Sequence, residues 1–387
     1  MVYHLLGEPF SAYTGLALAN SVANTMRFDE SSVVVCPEAD DTWGFKEDRI
    51  LVIPQLNILT VMIRGASMRG WRFVPSSTRK QIICSIFGSV LSTLKSGDIV
   101  WCYNWPYVAQ ALQSVIQSKG AKLIYHAHNS LAPYAARTLF KSFTPDALIF
   151  NSEAMRQEAL RLMPYLKNTH TVHNGADEAL FYPLPADAAR NNTPPVILYV
   201  GRLVPQKGVH VLIEAMRILQ KRNIQASCKL VGSSHAGGRR SKVTTYIKSL
   251  HKRRSPNVQF EQFRAATDIA EEYRAADIFC CPSIWQEPFG NVNIEAMASG
   301  VPVVASRVGG IPEIAAEGGV LLVEPDSAVG LADALQRLIL DKDLRAKIGA
   351  EGLASFRRRF TWTVINRQHN HIIRSLESHQ AEIELTR

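Results

Sequence analysis

Two carboxylates, Glu287 and Glu295, stand eight positions apart in Trp285–Pro302, WQEPFGNVNIEAMASGVP. An ionised carboxylate only accepts hydrogen bonds, and its two oxygens match the vicinal hydroxyls of a sugar or a ribose. Upstream, Arg202 and Lys207 bracket the glycine-flanked loop Gly201-Arg202-Leu203-Val204-Pro205-Gln206-Lys207-Gly208. Paired cations of this kind supply donors and positive charge to a diphosphate leaving group. Each of the four side chains taken singly reads as a solvated surface residue; together they describe a site for a ligand that is part polyol, part phosphate.

The flanking pattern says what must position them. The apolar run Ile278-Phe279-Cys280-Cys281 predicts a buried parallel strand, and Pro282 to Gly290 the loop at its carboxyl end. Asn291 suits the N-cap of a helix running to Gly300, with a further strand at Val301 to Ala305. Glu287 then lies in the loop and Glu295 about one turn into the helix, where both can face one crevice. The turn Phe289-Gly290-Asn291 lets backbone N–H groups approach a ligand, and the helix start behind it favours an anion. Val196–Val200 predicts another buried strand and Val209 to Gln220 a helix, which leaves Arg202 and Lys207 in an exposed loop.

GRLVPQKG followed by EPFGNVNIEAMASGVPVVASRVGGIPEI resembles the retaining glycosyltransferases of family four, over roughly 195–324. The resemblance implies an α/β fold of two Rossmann-like doubly wound domains facing a central cleft, the GT-B arrangement. It also implies that Arg202 and Lys207 bind the diphosphate of a nucleotide sugar, that Glu287 holds the transferred sugar, and that Glu295 holds the ribose. Donor contacts are implied at Gly201, Gly232, Phe289, Gly290, Asn291 and Val292.

Three further segments fit the same resemblance. Ile124 to Asn129 ends a strand, and similar proteins carry there a histidine near the reacting carbon, implying His128. His173-Asn174-Gly175-Ala176-Asp177 resembles the turn between the two domains. Leu230-Val231-Gly232-Ser233 resembles the strand end beneath the nucleobase, with Phe263 in the same pocket. The chain departs from the family in its amino-terminal loop, Gly7 to Gly15, where separated glycines replace the usual pair and Gly15 is the donor candidate. It departs again at Gln262, where a glycine is common.

At 387 residues the chain exceeds the ~250–300 at which single cores stop growing. Pro183, Pro185, Pro194 and Pro195 cluster with Asn191 and Asn192 at the expected break. We therefore assign 1–180 to an acceptor domain, completed by a C-terminal helix at about 362–387, and 181–361 to a donor domain. No run approaches the ~20 apolar residues of a membrane span, and Met1 to Leu6 predicts a first strand rather than a signal peptide. The six cysteines have no metal spacing and suit buried, reduced, cytosolic thiols.

The net charge of +9 is unevenly spread. Arg64, Arg69, Arg72, Arg79 and Lys80 interleave with Met62, Ile63, Met68, Trp71 and Phe73. That mixture suits an anionic membrane surface or a lipid-linked acceptor, with Arg69, Trp71 and Arg72 as its contacts; it equally suits a solvated basic face. No nucleic-acid motif accompanies it.

The reading is a retaining glycosyltransferase in which His128, Glu287, Arg202 and Lys207 act at the reacting centre. The donor is a nucleotide sugar, with UDP as the nucleotide, and the acceptor a glycan or lipid-linked glycan of lipopolysaccharide or exopolysaccharide assembly. No cofactor and no metal is expected, since a cationic pair stands where metal-dependent transferases carry Asp-x-Asp. The expected location is the cytoplasm, peripheral on the membrane's inner face. An epimerase or phosphorylase on the same architecture, and a non-catalytic nucleotide-sugar-binding protein, are the alternatives.

Overall fold

The computed structural model describes residues 1–6, 17–27, 29–40, 44–57, 59, 74–131, 142–185, 192–232, 240–261 and 266–385. Gly15, Arg69, Trp71, Arg72 and Phe263 lie outside these residues.

The chain forms two compact units, Met1–His173 with Ile365–Arg387, and Asn174–Val364. The boundaries thus fall a few residues from the 180/181 and 361/362 read from the sequence. The reason is packing: the N–H of Ala176 donates to Phe360 O at 3.0 Å, the Phe181 ring meets Tyr273 edge-on at 5.7 Å, and Trp362 lies against Gly175. All six residues belong to the second unit.

In the first unit, β1 (Val2–Leu5), β2 (Ser32–Cys36), β3 (Ile50–Val52), β4 (Ile99–Tyr103), β5 (Lys122–Ala127), β6 (Ala147–Phe150) and β7 (Thr169–Thr171) form one sheet. Its order is β3-β2-β1-β4-β5-β6-β7, and every pair is parallel. In the second unit, β8 (Val196–Val200), β9 (Ser227–Val231), β10 (Val258–Glu261), β11 (Ile278–Cys281), β12 (Val303–Ser306) and β13 (Val320–Val323) run in the order β10-β9-β8-β11-β12-β13. They too pair in parallel. Both are doubly wound sheets, whose order reverses between β1 and β4 and between β8 and β11.

Burial on both faces explains the continuous apolar strands. In β8, Leu198 and Val200 enter one core together with Phe279 and Cys281 of β11. Ile197 and Tyr199 enter the opposite core with Ile278 and Cys280. The period-two alternation of a strand distributes neighbours to opposite faces, so an apolar run is what a doubly covered sheet requires. The six cysteines are free, five of them buried and Cys84 half-buried. Among the described residues, no helix is long and apolar enough to cross a membrane.

Candidate active site

Ligands of doubly wound sheets bind beyond the strand ends where the strand order reverses. In the second unit that point is the β8/β11 junction, registered by Ile278 opposite Ile197 and Phe279 opposite Leu198. The loops leaving these strands are laced together. The N–H of Ile284 donates to Gln206 O at 2.9 Å, and Gly208, at φ +67°, lies so close that a Cβ there would sit 1.8 Å from Pro282 O. A loop bearing Lys207 is thereby pressed against the loop bearing Glu287.

The consequence is an ion pair. Lys207 Nζ donates to Glu287 Oε2 at 2.6 Å, with the two side chains 18% and 9% exposed. The same oxygen accepts from Ser283 Oγ at 3.1 Å and from Trp285 Nε1 at 2.9 Å, and the ammonium lies 5.7 Å from the centre of the Trp285 ring. Three donors on one oxygen satisfy a charge that burial would otherwise penalise heavily. The backbone of Glu287 is held from the other side: its carbonyl accepts from Gly310 N–H at 2.9 Å. Gly309, at φ +53°, has no room for a side chain, because a Cβ would lie 2.0 Å from Glu287 O and 2.6 Å from Glu287 N.

Lys207 is therefore a paired, largely buried cation, which corrects the expectation that it lies free in an exposed loop. Arg202 is exposed as expected. No contact joins its guanidinium to Glu287 or Lys207 among the described residues; its backbone O instead accepts from Tyr199 Oη at 2.8 Å.

Glu295 lies in the helix Asn291–Ala298. The Tyr273 hydroxyl reaches its Oε2 at 2.9 Å and Val292 O at 3.2 Å. Burial pushes the carboxyl up to about 7, against a downward pull from the Tyr273 hydroxyl. The N-cap of this helix is Gly290, at φ +99°, and not Asn291, which is its first helical residue. Asn291 Oδ1 is occupied by Asn174 Nδ2 at 2.7 Å, so its side chain does not cap. Phe289 is a core residue, 1% exposed, whose ring meets Phe360 at 5.9 Å; only its backbone is left for a ligand. β12 begins two residues later than expected, because Val301 N–H closes the helix end on Ala296 O at 3.0 Å. Gly201 donates to Val231 O at 3.0 Å, which sets it beside Gly232 at the ends of β8 and β9.

In the first unit, His128 follows β5 directly. Its ring lies 4.2 Å from that of His126, and His126 in turn lies 5.6 Å from His369 on the helix Trp362–Leu385. Trp101 meets His369 edge-on at 4.9 Å. Both ring nitrogens of His126 and His369, Nε2 of His128 and Nε1 of Trp101 are buried without a hydrogen-bond partner among the described residues. Burial lowers His128 to about 4 and His369 to about 3, and His126 falls well below the ordinary range. These rings are accordingly neutral near pH 7.

Ser283, Trp285, Tyr273 and His369 are functional candidates that the sequence reading did not single out. Ser283 and Trp285 flank Glu287 at i−4 and i−2, a local signal; Tyr273 and His369 carry none, being distant in sequence from what they touch. Among the described residues, no group of three or more His, Cys, Asp or Glu is placed to hold a metal ion.

Comparison with known proteins bears on this geometry. The family described as Glycosyl transferases group 1 matches residues 184–354, the span containing the Lys207–Glu287 pair and Glu295. Alpha-maltose-1-phosphate synthase of Mycolicibacterium smegmatis is 28% identical over 320 residues, covering 75% of this chain and 82% of the relative. D-inositol 3-phosphate glycosyltransferase of Corynebacterium jeikeium is 42% identical over 173 residues, 43% of this chain and 40% of the relative. Among solved structures, Anabaena Alr3699/HepE in complex with UDP and glucose superposes with a TM-score of 0.73 at 22% identity, covering 97% of this chain and 99% of that one. At such identity the likeness speaks for the fold, two parallel-sheet α/β domains of the GT-B class.

Proposed function

We propose that this chain is a glycosyltransferase of the group 1 kind, which its residues 184–354 match, and that it moves a hexosyl group from a UDP-sugar to an anionic glycan or phosphosugar acceptor with retention of anomeric configuration. The observation that carries the reading is the Lys207–Glu287 ion pair at the β8/β11 switch point. It sets a fixed cation and a fixed carboxylate beside the helix start at Gly290–Asn291. Support for the nucleotide comes from the HepE structure, which was solved with UDP and glucose.

In this mechanism the acceptor oxygen bonds to the anomeric carbon on the face from which the diphosphate departs. The bond between that carbon and the diphosphate oxygen breaks, and the acceptor's proton passes to the leaving phosphate. Lys207, Arg202 and the helix N–H groups meet the negative charge that develops on the leaving group. Lys207 has two protons left after its bond to Glu287, enough to serve a phosphate without breaking the pair. Glu287, with Oε2 saturated, orients sugar hydroxyls, and Glu295 accepts from the ribose. To His128 the sequence resemblance gives a further role, which a neutral imidazole would fill.

The acceptor's charge follows from where the basic residues lie. Residues 49–145 carry eleven Lys and Arg and one acid, Asp98, a net of +10 where the whole chain has +9. The first unit as a whole has 19 Lys and Arg against 15 acids, a net of +4, and the second 24 against 19, +5; within the first unit the basic residues concentrate in 49–145, where they favour anionic partners. A cavity of about 500 Å³ in that unit is lined by Arg79, Lys80, Ser77, Ser114 and Tyr107, with no carboxylate among its described lining residues. The relatives named for maltose 1-phosphate and inositol 3-phosphate fit a phosphorylated acceptor. A lipid-linked acceptor of lipopolysaccharide or exopolysaccharide assembly, met at an anionic membrane, fits the same charge.

A thermal-shift panel of UDP, UDP-glucose, UDP-N-acetylglucosamine, GDP-mannose and ADP-glucose tests the donor, because a ligand binding the native state raises its stability as RT ln(1 + [L]/Kd). A rise with UDP-sugars that is lost in Lys207→Ala is the expected result. No rise with any nucleotide sugar would refute the reading.

A further inference from the structure

Asn104 occupies the first position after β4 and has the left-handed backbone conformation, φ +50°. A non-glycine residue in that region is uncommon, and Asn is among the few that tolerate it. Its side chain is fully committed as an acceptor: Oδ1 takes the backbone N–H of His128 at 2.8 Å and of Asn129 at 3.1 Å. Its own N–H donates to His126 O at 3.1 Å. One residue of the β4 loop therefore holds three backbone groups of the chain leaving β5, at His126, His128 and Asn129. A weaker contact reaches the same loop from β6, where Asn151 Nδ2 lies 3.5 Å from His128 O. Below, the His126 ring limits where the His128 ring can go.

We infer that Asn104 is a positioning residue: it fixes the direction in which β5 presents His128, the imidazole to which the proposed function gives a role in turnover. The inference rests on the proposed role of His128. The two amide protons belong to the peptide units on either side of the His128 Cα, so one carbonyl oxygen holds both units, whereas a single bond would leave one of them free to rotate. The left-handed conformation turns the β4 chain back so that the short Asn side chain can reach both protons. Spacing along the sequence gives no sign of this, since 24 residues separate Asn104 from His128.

The experiment separates the acceptor oxygen from the backbone conformation. Asn104→Gly keeps access to positive φ and removes the oxygen; Asn104→Asp keeps both. UDP release from UDP-glucose is measured for wild type, both variants and His128→Ala, with melting curves and the ¹H–¹³C resonances of the His128 ring. The glycine variant is expected to lose on the order of tenfold to a hundredfold in kcat, as misplacement by about an ångström does. Its KM for UDP-glucose should stay within about twofold and its His128 resonances should move, while the aspartate variant restores both turnover and resonances. Should the glycine variant fail to fold, the aspartate variant decides: wild-type resonances with wild-type turnover support the inference, and displaced resonances or lost turnover overturn it. Unchanged kcat in a folded glycine variant, with His128→Ala impaired, overturns the inference alone. Unchanged kcat in His128→Ala removes the role of His128 and the inference with it.

Discussion

Lys207 and Glu287, 80 residues apart in the chain, are joined by a 2.6 Å ion pair on a carboxylate oxygen that Ser283 and Trp285 also contact. Cation and carboxylate are thus one unit, and removing either changes the other. Lys207→Ala leaves the Glu287 side chain buried and without its charge partner, at a cost of about 3–5 kcal/mol in folding stability. It also forfeits about 2–4 kcal/mol of transition-state stabilisation. Arg202→Ala, at an exposed position, should lose a similar amount of turnover with an unchanged melting temperature. Steady-state kinetics with UDP-glucose and melting curves of both variants check this; equal stability of the two variants would contradict it.

With Glu295 as the proposed ribose acceptor, donor binding should depend on pH. Its carboxyl, 4.5 in the reference state, is raised by burial to about 7 in the fold. The raised value means that its stability contribution is fully present below about 4.5 and is lost as pH rises through about 7. A ribose hydroxyl donates more strongly to a carboxylate than to a neutral carboxyl, so nucleotide binding favours the ionised form. Affinity for UDP should therefore climb from pH 5 to about pH 7.5 and release a proton in that window. Titration calorimetry in two buffers of different ionisation enthalpy measures the proton, and Glu295→Gln should abolish the dependence.

Gly309→Ala should disturb the site without touching a charged group. A methyl at Gly309 would meet the backbone of Glu287 at 2.0 Å, and the positive φ adds roughly 1–2 kcal/mol for an L residue. The expected result is a lower urea midpoint together with reduced kcat. A variant matching wild type in both would show that the loop after β12 does not hold Glu287.

The buried histidines predict acid lability of the first unit. His4 and His128 are lowered to about 4 and His369 to about 3, so their stabilising contribution is present above 6.5 and lost as pH falls toward 4. Melting temperature should decline steadily from pH 6.5 to pH 4. His369→Phe, which keeps an aromatic ring beside Trp101 and His126, should flatten that decline, and an unaltered slope would argue against the cluster as its source.

In the proposed mechanism Lys207, Arg202 and the helix start at Asn291 carry the charge of the leaving group, so catalysis should proceed without a divalent cation. Turnover is expected to survive EDTA. Loss of turnover in chelator and its return with magnesium or manganese would reassign that role to a metal.

Local order was legible in the residues themselves. Val196–Val200 and Ile278–Cys281 are strands with the bounds their apolar runs imply, because burial on both faces writes itself into consecutive positions. The helix after Gly208 follows from the same kind of local signal. Where local signals competed, they misled: Asn291 has the chemistry of an N-cap, yet Gly290 takes the position and Asn174 takes the Asn291 side chain.

The composition of the candidate site in the second unit was a matter of residue types and therefore of sequence: two carboxylates, two cations and a glycine-rich frame; so was the histidine at the end of β5 in the first unit. Which of them meet was decided by tertiary structure alone. Lys207 reaches Glu287 because β8 lies beside β11, Tyr273 reaches Glu295 from another helix, and Asn104 reaches His128 because β4 lies beside β5. Strand order is set by long-range packing and by the right-handed crossovers of a parallel sheet, and no spacing along the chain records it.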